Sequence, residues 1–430
     1  MFVEIFMGIV SLDEIKPGMT LATDMRTNQG RLLLQAGSKI QAEHLKIARI
    51  WGITQADITD DSAPTGPENP IERLDPELKK VLDALTDWKF ACCDRESPFY
   101  RKLAFLFQKR IASTLTRKNS RKVVEKYRGP KILGDVKQSR GDESQKPHLE
   151  KLVDKEVSLV TLPDVFHEIV EVTGNPKSSS TDISNVLAKD QSLSSRILRL
   201  VNSPFYGLMS KVDTLSRAVT IVGTVEITNL AMGISITSTF NDVSSELVNM
   251  HDFWEHSLSV GVVAKILATQ NKMPVQERLF VGGLLHDIGR LVLLKNYSRI
   301  SGKMLAFATS RPVNLYDLET KYFGFSHSEL GGRLLEQWKV PQALANMVKS
   351  HHSRSSIDDS GETILIRLAD IISHGLGYGH SGARRVPPLD YNEWKNAGLS
   401  ITALPVVAAQ TENNLRDLMR IIVEDQAHAI

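Results

Sequence analysis

The stretch "GGLLHDIGRL", residues 282–291, constrains the fold of this chain more than any other feature. It places His286 and Asp287 side by side within an apolar helical pattern. Burying an imidazole and a carboxylate costs free energy unless each group has a partner. That partner is either a hydrogen-bonding group of the protein or a metal ion. The residues alone leave both alternatives open, and the choice decides whether the chain carries the groups of an enzyme.

The composition is typical of a globular protein, with 42% hydrophobic and 24% charged residues in a chain of 430. This length predicts roughly two or three domains. No stretch approaches the roughly 18 to 20 apolar residues of a membrane helix, and the start, "MFVEIFMGIV", lacks the pattern of a signal peptide. The only cysteines, Cys92 and Cys93, are adjacent and too few for a disulfide scaffold. We therefore expect a cytoplasmic protein without a membrane span, and the oligomeric state is left open.

The net charge of +2 conceals a basic segment. Residues 101–140 hold 13 Lys/Arg and 2 Asp/Glu, a local charge of +11. Such a segment is either a surface for nucleic acid or membranes, or a solvated helical connector. The second interpretation is favoured, so nucleic acid is not expected as a partner.

The patterns along the chain predict a mainly α protein with a small α/β domain at its front. Residues 8–60 form the predicted α/β module, and residues 61–148 form a helical, basic connector with Pro/Gly-rich stretches at 60–70 and 129–148. From residue 149 onward the pattern is helical, with a subdomain at 149–240 and a second at 241–430. In "TDISNVLAKD", Thr181 or Asp182 is the predicted N-cap.

Eight of the twelve histidines fall between residues 251 and 380, which indicates a site. Asp252 and His256 are four residues apart and therefore lie on one helix face. The candidate metal ligands are Asp252, His256, His286, Asp287, His327, His351, His352 and Asp370. Imidazoles and carboxylates without thiolates suit a divalent Fe, Mn, Ni, Zn or Mg ion. A satisfied pair in the core is the alternative for His286 and Asp287, and His374 and His380 are left outside the site.

The order His256, His286–Asp287, Asp370 resembles that of the HD-domain superfamily of metal-dependent phosphohydrolases. Residues 155–376 are more specifically similar to the HDOD domain, the HD-related output domain of bacterial signalling proteins. The matching motifs are "LPDVFHEIV", "RILRLVNSPFYG", "GGLLHDIGRLVL", "FSHSELGGRLLEQWKVP", "KSHH" and "IRLADII". The front module loosely resembles a small unit that precedes HD-GYP and HDOD domains. The resemblance implies an all-helical C-terminal region.

The related HD-GYP enzymes hydrolyse cyclic di-GMP at a centre of two or three metal ions. The resemblance implies that His256, His286, Asp287 and Asp370 hold one ion and that His327, His351 and His352 hold a second. Asp287 and Arg290 would be the catalytic pair, with Arg290 on the phosphate. This chain departs from the enzymes in having Asp252 where they have Glu, Arg290 where they have Lys, and no GYP signature after His352.

Two functions follow from this comparison. The sequence favours a regulatory signalling module that binds a protein partner or a small nucleotide-like ligand, in which the histidine set is either a relic or a retained structural metal site. The alternative is a metal-dependent phosphohydrolase that acts on a cyclic nucleotide or another phosphoester.

Overall fold

The computed structural model describes most of the chain. The described residues are 8–12, 15–26, 32–50, 53, 55–59, 69–129, 148–159, 162–175, 177–208, 210–240, 247–353 and 361–423. Most of the two Pro/Gly-rich stretches, at 60–68 and 130–147, lies outside the described residues. So does most of the segment after His352, residues 354–360, where the GYP signature was sought.

The front of the chain is a small α/β unit with its own core. It consists of β1 (Gly8–Ser11), β2 (Met25–Arg26), β3 (Leu32–Leu34), α1 (Ala42–Ile50) and β4 (Gln55–Ile58). Strand β1 pairs antiparallel with β4, and β2 pairs antiparallel with β3. The buried apolar side chains of this unit are Leu12, Ile15, Leu21, Met25, Ile40, Leu45, Ala48 and Ile58. Its predicted boundary at residue 60 stays a prediction.

The remaining described chain is helical, which confirms the mainly α fold class. The first helices are α2 (Pro76–Lys89), α3 (Pro98–Ala112), α4 (Ser120–Arg128), α5 (Leu149–Leu159), α6 (Asp164–Gly174), α7 (Ser180–Ala188), α8 (Gln191–Val201), α9 (Leu215–Val222) and α10 (Thr224–Ser238). The later helices are α11 (Met250–Gln270), α12 (Gln276–Leu285), α13 (Ile288–Asn296), α14 (Ser298–Ser310), α15 (Leu315–Phe323), α16 (His327–Gln337), α17 (Gln342–Ser350), α18 (Glu362–Leu376), α19 (Tyr391–Asn396) and α20 (Leu404–Ile422).

Within the described ranges, no single helix combines the length and the hydropathy that a membrane crossing requires. Helices α9 and α10 reach that threshold only when they are taken together, across a bend of 116°.

The start of α7 differs from the sequence prediction. Its N-cap is Ser179, not Thr181 or Asp182. The Ser179 hydroxyl accepts the Asp182 N–H at 3.3 Å, and the Asp182 carboxylate accepts the Ser179 N–H at 2.8 Å. This reciprocal capping box satisfies two N–H groups at once, so the helix starts one residue before Thr181.

The helices of the predicted connector pack into the main core. Phe99, Leu103 and Phe107 of α3 are fully buried. A Cβ atom at Gly375 of α18 would lie only 2.2 Å from the Leu103 side chain, so α3 and α18 are in close contact. Helix α3 is therefore a packed layer of the fold and not a solvated link, whereas the boundary placed at residue 148 stays a prediction.

Two glycines of the "GGLLHDIG" motif set the spacing of the central helices. A Cβ atom at Gly283 would lie 2.5 Å from the backbone nitrogen of Gly261, where α12 crosses α11. A Cβ atom at Gly289 would lie 2.1 Å from the carbonyl oxygen of His327, where α13 meets α16. Only a residue without a side chain permits these approaches. The motif therefore brings the helices that carry its neighbouring histidines into backbone contact.

We predict that Gly283→Ala destabilises the protein, because the added methyl group must push α11 away from α12. Overpacking of this kind costs about 1–3 kcal/mol in the free energy of unfolding, which chemical denaturation measures. The control is Gly174→Ala at the end of α6, where an added Cβ meets nothing within 4 Å. Equal stability of the two variants would contradict the role assigned to Gly283.

Candidate metal centre

The predicted ligands come from five places in the helical region. His256 lies on α11, and His286 and Asp287 lie at the break between α12 and α13. His327 begins α16. The other members follow later in the chain: His351 and His352 come directly after α17, and Asp370 lies in the middle of α18. The four imidazoles at 256, 286, 327 and 351 are 0% exposed, so the folded chain encloses the cluster.

Two carboxylates lie at the middle of the cluster. An Asp370 oxygen is 3.1 Å from Nε2 of His256 and 3.7 Å from Nε2 of His286. One Asp287 oxygen is 3.2 Å from Nε2 of His286, and the other is 2.9 Å from Nε2 of His327. The two carboxylates thus join three imidazoles that lie far apart in the sequence.

A second group of imidazoles adjoins the carboxylates. His327 and His351 approach to 3.4 Å between their Nε2 atoms. The rings of His351 and His352 are 4.1 Å apart at their centroids. Each of the groups His327/His351/His352, His256/His286/Asp287 and His256/Asp370/His374 has ligand atoms within 4.8 Å of one another. The cluster therefore has the donor spacing of a centre for one or two ions.

Backbone carbonyls orient two of the rings. Nδ1 of His286 lies 2.7 Å from the Gly283 carbonyl, and Nδ1 of His351 lies 2.7 Å from the Val348 carbonyl. A carbonyl only accepts, so Nδ1 carries the hydrogen in each neutral ring. The lone pair of Nε2 is then directed into the cluster, which is the orientation that a metal-binding histidine needs.

The Arg290 guanidinium contacts the cluster at Asp287 and His327. It donates to Glu319 at 3.1 Å and to Asp287 at 3.0 Å. It also contacts the His327 ring at 2.9 Å and the Ser381 hydroxyl. Glu319 in turn bonds Nδ1 of His327 and accepts its backbone N–H at 3.0 Å. Each nitrogen of the Arg290 guanidinium therefore contacts at least one protein group.

The electrostatics of the cluster keep both carboxylates ionised. Burial by itself would raise the pKa of Asp287, but Arg290 and the neighbouring imidazoles hold that pKa well below its usual value. Burial likewise opposes ionisation of Asp370, and His374 and His256 hold its pKa well below the usual value.

The imidazoles respond to these charges in opposite directions. Burial lowers the pKa of His286, but the two aspartates raise it to about 10. The pKa of His351 falls to about 3, because burial and the neighbouring His286 and His327 all disfavour its charged form.

Several buried polar atoms of the cluster make no hydrogen bond of suitable geometry among the described residues, although some of them contact another cluster residue at 2.9–3.2 Å. They are His256 Nδ1 and Nε2, His286 Nε2, Asp287 Oδ1, Asp370 Oδ1 and His374 Nδ1. Buried polar atoms in folded proteins are normally satisfied, and each exception needs an explanation. Lone pairs of nitrogen and oxygen that converge in one place fit a cation. The donor set present is therefore compatible with a divalent metal ion.

Seven of the eight predicted ligands lie together, whereas Asp252 lies apart from them. Its carboxylate is 3.6 Å from Nε2 of His380 and its side chain is 23% exposed. It shares a separate, more exposed group with His251 and Glu255. Its assignment as a ligand has the least geometric support.

Sequence reasoning missed two residues of the site. His374 was left out, although it follows Asp370 by one helical turn and its Nε2 lies 3.4 Å from an Asp370 oxygen. That i, i+4 spacing was the available signal. Glu319 is the second residue, and no sequence motif indicates it. Its role follows only from its burial beside Arg290 in the folded chain.

Comparison with known proteins finds a domain model that matches part of this chain. The HDOD domain model matches residues 159–354. A protein of Treponema pallidum (strain Nichols), named only as uncharacterized, is 25% identical over 204 residues. That alignment covers 47% of this chain and 39% of the relative, so the match spans well under half of that protein's length.

Two crystal structures share the fold. One is a provisionally named phosphohydrolase of Shewanella amazonensis SB2B, with 21% identity, a TM-score of 0.51, and coverage of 64% of this chain and 98% of that chain. The other is a provisionally named signal transduction protein of Marinobacter aquaeolei VT8, with 19% identity, a TM-score of 0.50, and coverage of 64% of each chain. Residues 159–354 of this chain thus match the HDOD domain, and the helical architecture of this region agrees with that match.

Proposed function

We propose that the protein is a signalling output module whose HDOD domain holds a divalent metal ion in a closed centre. The observation that carries the proposal is the convergence of buried imidazole nitrogens and carboxylate oxygens, several of which make no hydrogen bond of suitable geometry among the described residues. In this proposal His256, His286, Asp287 and Asp370 hold one ion, with His374 beside them. His327, His351 and His352 offer a second position.

A cation in this centre would compensate the negative charge of the two aspartates and polarise any oxygen ligand as a Lewis acid. The protein supplies imidazoles with fixed ring orientation, of which His286 must lose a proton to bind the ion, and two ionised carboxylates. The match between donors and cation supports a metal centre more strongly than a core pair that is satisfied by hydrogen bonds.

The burial of the centre favours regulation over turnover. The side chains of Asp287 and Asp370 are 2% and 4% exposed, and the nearest imidazoles are not exposed. A phosphoester cannot reach these atoms in this conformation. An ion held there would instead link α11, α12, α16 and α18. Binding of the ion would therefore change the stability and the shape of the domain.

Phosphoester hydrolysis is the second candidate, because two adjacent ligand groups could hold the paired ions of a hydrolytic centre. Turnover of cyclic di-GMP with added Mn²⁺ or Fe²⁺ separates the two functions. Measurable hydrolysis that is lost in His286→Ala would favour the enzyme, and its absence in a metal-loaded protein would favour the closed signalling module.

The geometry supports a different role for Arg290 from the phosphate contact that the resemblance implied. With Glu319, Asp287, His327 and Ser381 as partners, each nitrogen of its guanidinium contacts a protein group. We propose that Arg290 is a positioning residue, which fixes the Asp287 carboxylate and the His327 ring.

The metal content of the full-length protein tests the proposal. Purified without chelator, the protein should hold about one to two equivalents of Fe, Mn, Ni or Zn, and His286→Ala should hold less than about a tenth of an equivalent. Mass spectrometry of the elements measures this. His167→Ala, on the exposed surface of α6, is the control and should keep the full content. A wild-type protein with less than about a tenth of an equivalent would rule out the centre.

Metal binding should strengthen as the pH rises from 6 to 9. The His286 pKa of about 10 keeps its ring protonated in the ion-free protein, and a ligand imidazole must lose that proton. The His351 ring, with a pKa of about 3, is already neutral and releases none. We expect about one proton released per ion near pH 8 and about a tenfold gain in affinity per pH unit. Titration calorimetry in two buffers of different ionisation enthalpy counts the protons. An affinity that stays flat or falls over this range would contradict the assignment.

Removing Arg290 should strongly destabilise the domain. Arg290→Met leaves the buried carboxylates of Glu319 and Asp287 without their cation, which costs about 3–5 kcal/mol in the free energy of unfolding. Arg333→Met is the control, because its ion pairs lie on the surface and contribute only about 0–1 kcal/mol. Urea denaturation measures both variants. A loss at Arg290 no larger than that at Arg333 would refute the positioning role.

A further inference from the structure

A small cavity lies between α2, α4, the start of α11 and the chain that follows α18. Its volume is about 10 Å³, which is room for one atom the size of a water molecule. The lining residues are Lys89, Lys126, Tyr127, Asp252, Gly377, Gly379, His380 and Arg384. They include three cationic side chains and one carboxylate, so the cavity has an excess of positive charge.

Lys89 is a buried cation without an anionic partner. It is 3% exposed, and its ammonium donates to the Arg384 carbonyl at 3.1 Å. The ring centres of Phe107 and Tyr127 lie 5.6 Å and 5.7 Å from its nitrogen. No carboxylate among the described residues forms an ion pair with it, so burial and the charges of Arg384 and Arg110 lower the pKa of Lys89 to about 7. Buried lysines are normally paired, and here the negative partner is missing.

His380 supplies a second donor that has no acceptor. Burial and the nearby Arg384 hold the pKa of His380 well below its usual value, so its ring is neutral. Nδ1 accepts the Gly382 N–H at 3.2 Å, which places the hydrogen of the neutral ring on Nε2. This Nε2 is buried and makes no hydrogen bond among the described residues, and an Asp252 oxygen lies 3.6 Å from it. A buried N–H of this kind normally has an acceptor, which an anion in the cavity would provide.

Arg384 supplies a third donor. Its guanidinium donates to the Lys126 carbonyl at 2.7 Å, which is the only hydrogen bond of this side chain among the described residues. Burial lowers the pKa of Arg384 to about 10, and the Asp252 carboxylate offsets only part of that effect. Donors from Lys89, His380 and Arg384 thus line one small cavity. A water molecule there would leave the positive charge uncompensated, whereas an anion would compensate it.

We propose that this cavity binds one monatomic anion of the size of chloride, which accepts hydrogen bonds from Lys89 Nζ, His380 Nε2 and the Arg384 guanidinium. The cavity is too small to enclose phosphate, sulfate or a nucleotide. His380 also donates its N–H to the Asp252 carbonyl at 2.9 Å, so the anion would join α2 to the start of α11, one helical turn before His256. The site is separate from the proposed metal centre, and either can fail without the other.

The test follows thermal unfolding of the full chain while chloride replaces gluconate at constant ionic strength. About 100 mM chloride should raise Tm by about 1–3 °C, because a ligand that binds only the folded chain stabilises it by mass action. Phosphate at the same ionic strength should not reproduce this gain. Lys89→Met fills the same space without a charge and should abolish it. Lys80→Met is the control and should keep the full gain, because its ammonium is exposed on α2 and pairs with Glu77 at 3.0 Å.

Bromide locates the anion directly, because its anomalous scattering identifies it in a crystal of the same chain. We expect one bromide in the cavity, within hydrogen-bond distance of Lys89 Nζ and His380 Nε2. Arg384→Gln removes a donor at a partly exposed residue, so it tests the site even where Lys89→Met does not fold, and it should lose about half of the chloride gain or more. An equal gain in the wild type and in Arg384→Gln, an equal gain from phosphate, or a bromide map with an empty cavity would overturn the proposal. Where chloride gives no gain in the wild type, the bromide map alone decides.

Discussion

The structure depends on the burial of two ionised carboxylates, Asp287 and Asp370, among imidazoles. Moving a carboxylate out of water costs several kcal/mol unless opposite charges and hydrogen bonds compensate it. Arg290, the imidazoles and, in our proposal, a divalent cation supply that compensation. The convergence of the helices, the small residues at their crossings and the exclusion of solvent are arrangements that bring these groups together and keep them there.

The fold meets this requirement with helices that are distant in the sequence. Helix α11 supplies His256, the α12–α13 break supplies His286 and Asp287, and α18 supplies Asp370. The glycine contacts at Gly283 and Gly289 allow backbones to touch where side chains would hold them apart. His286 and Asp287 lie where α12 ends and α13 begins, whereas His256 and Asp370 lie within their helices, and buried apolar side chains surround all four positions.

Local patterns in the sequence predicted the helices, the apolar runs that end at His286 and His351, and the identity of most clustered residues. They did not predict which polar side chains point inward. Asp252 and His256 share a helix face, yet Asp252 lies in the first turn of α11 and contacts His380. His374 shares a face with Asp370 and does lie in the cluster. Glu319 has no local signal, because its role depends on the packing of α15 against Arg290. Whether such a side chain joins the cluster depends on its position along the helix and on contacts between distant helices. A short sequence pattern does not contain this information.

The family match ends at residue 354, before Asp370 and His374. Part of the centre therefore comes from chain outside that match. X-ray absorption at the edge of the bound metal, on the full chain purified without chelator, tests the central claim most directly. We predict first-neighbour nitrogen and oxygen atoms at about 2.0–2.2 Å with the outer-atom scattering of several imidazoles. A spectrum with no imidazole scattering, or a sample without a metal edge, would contradict the account.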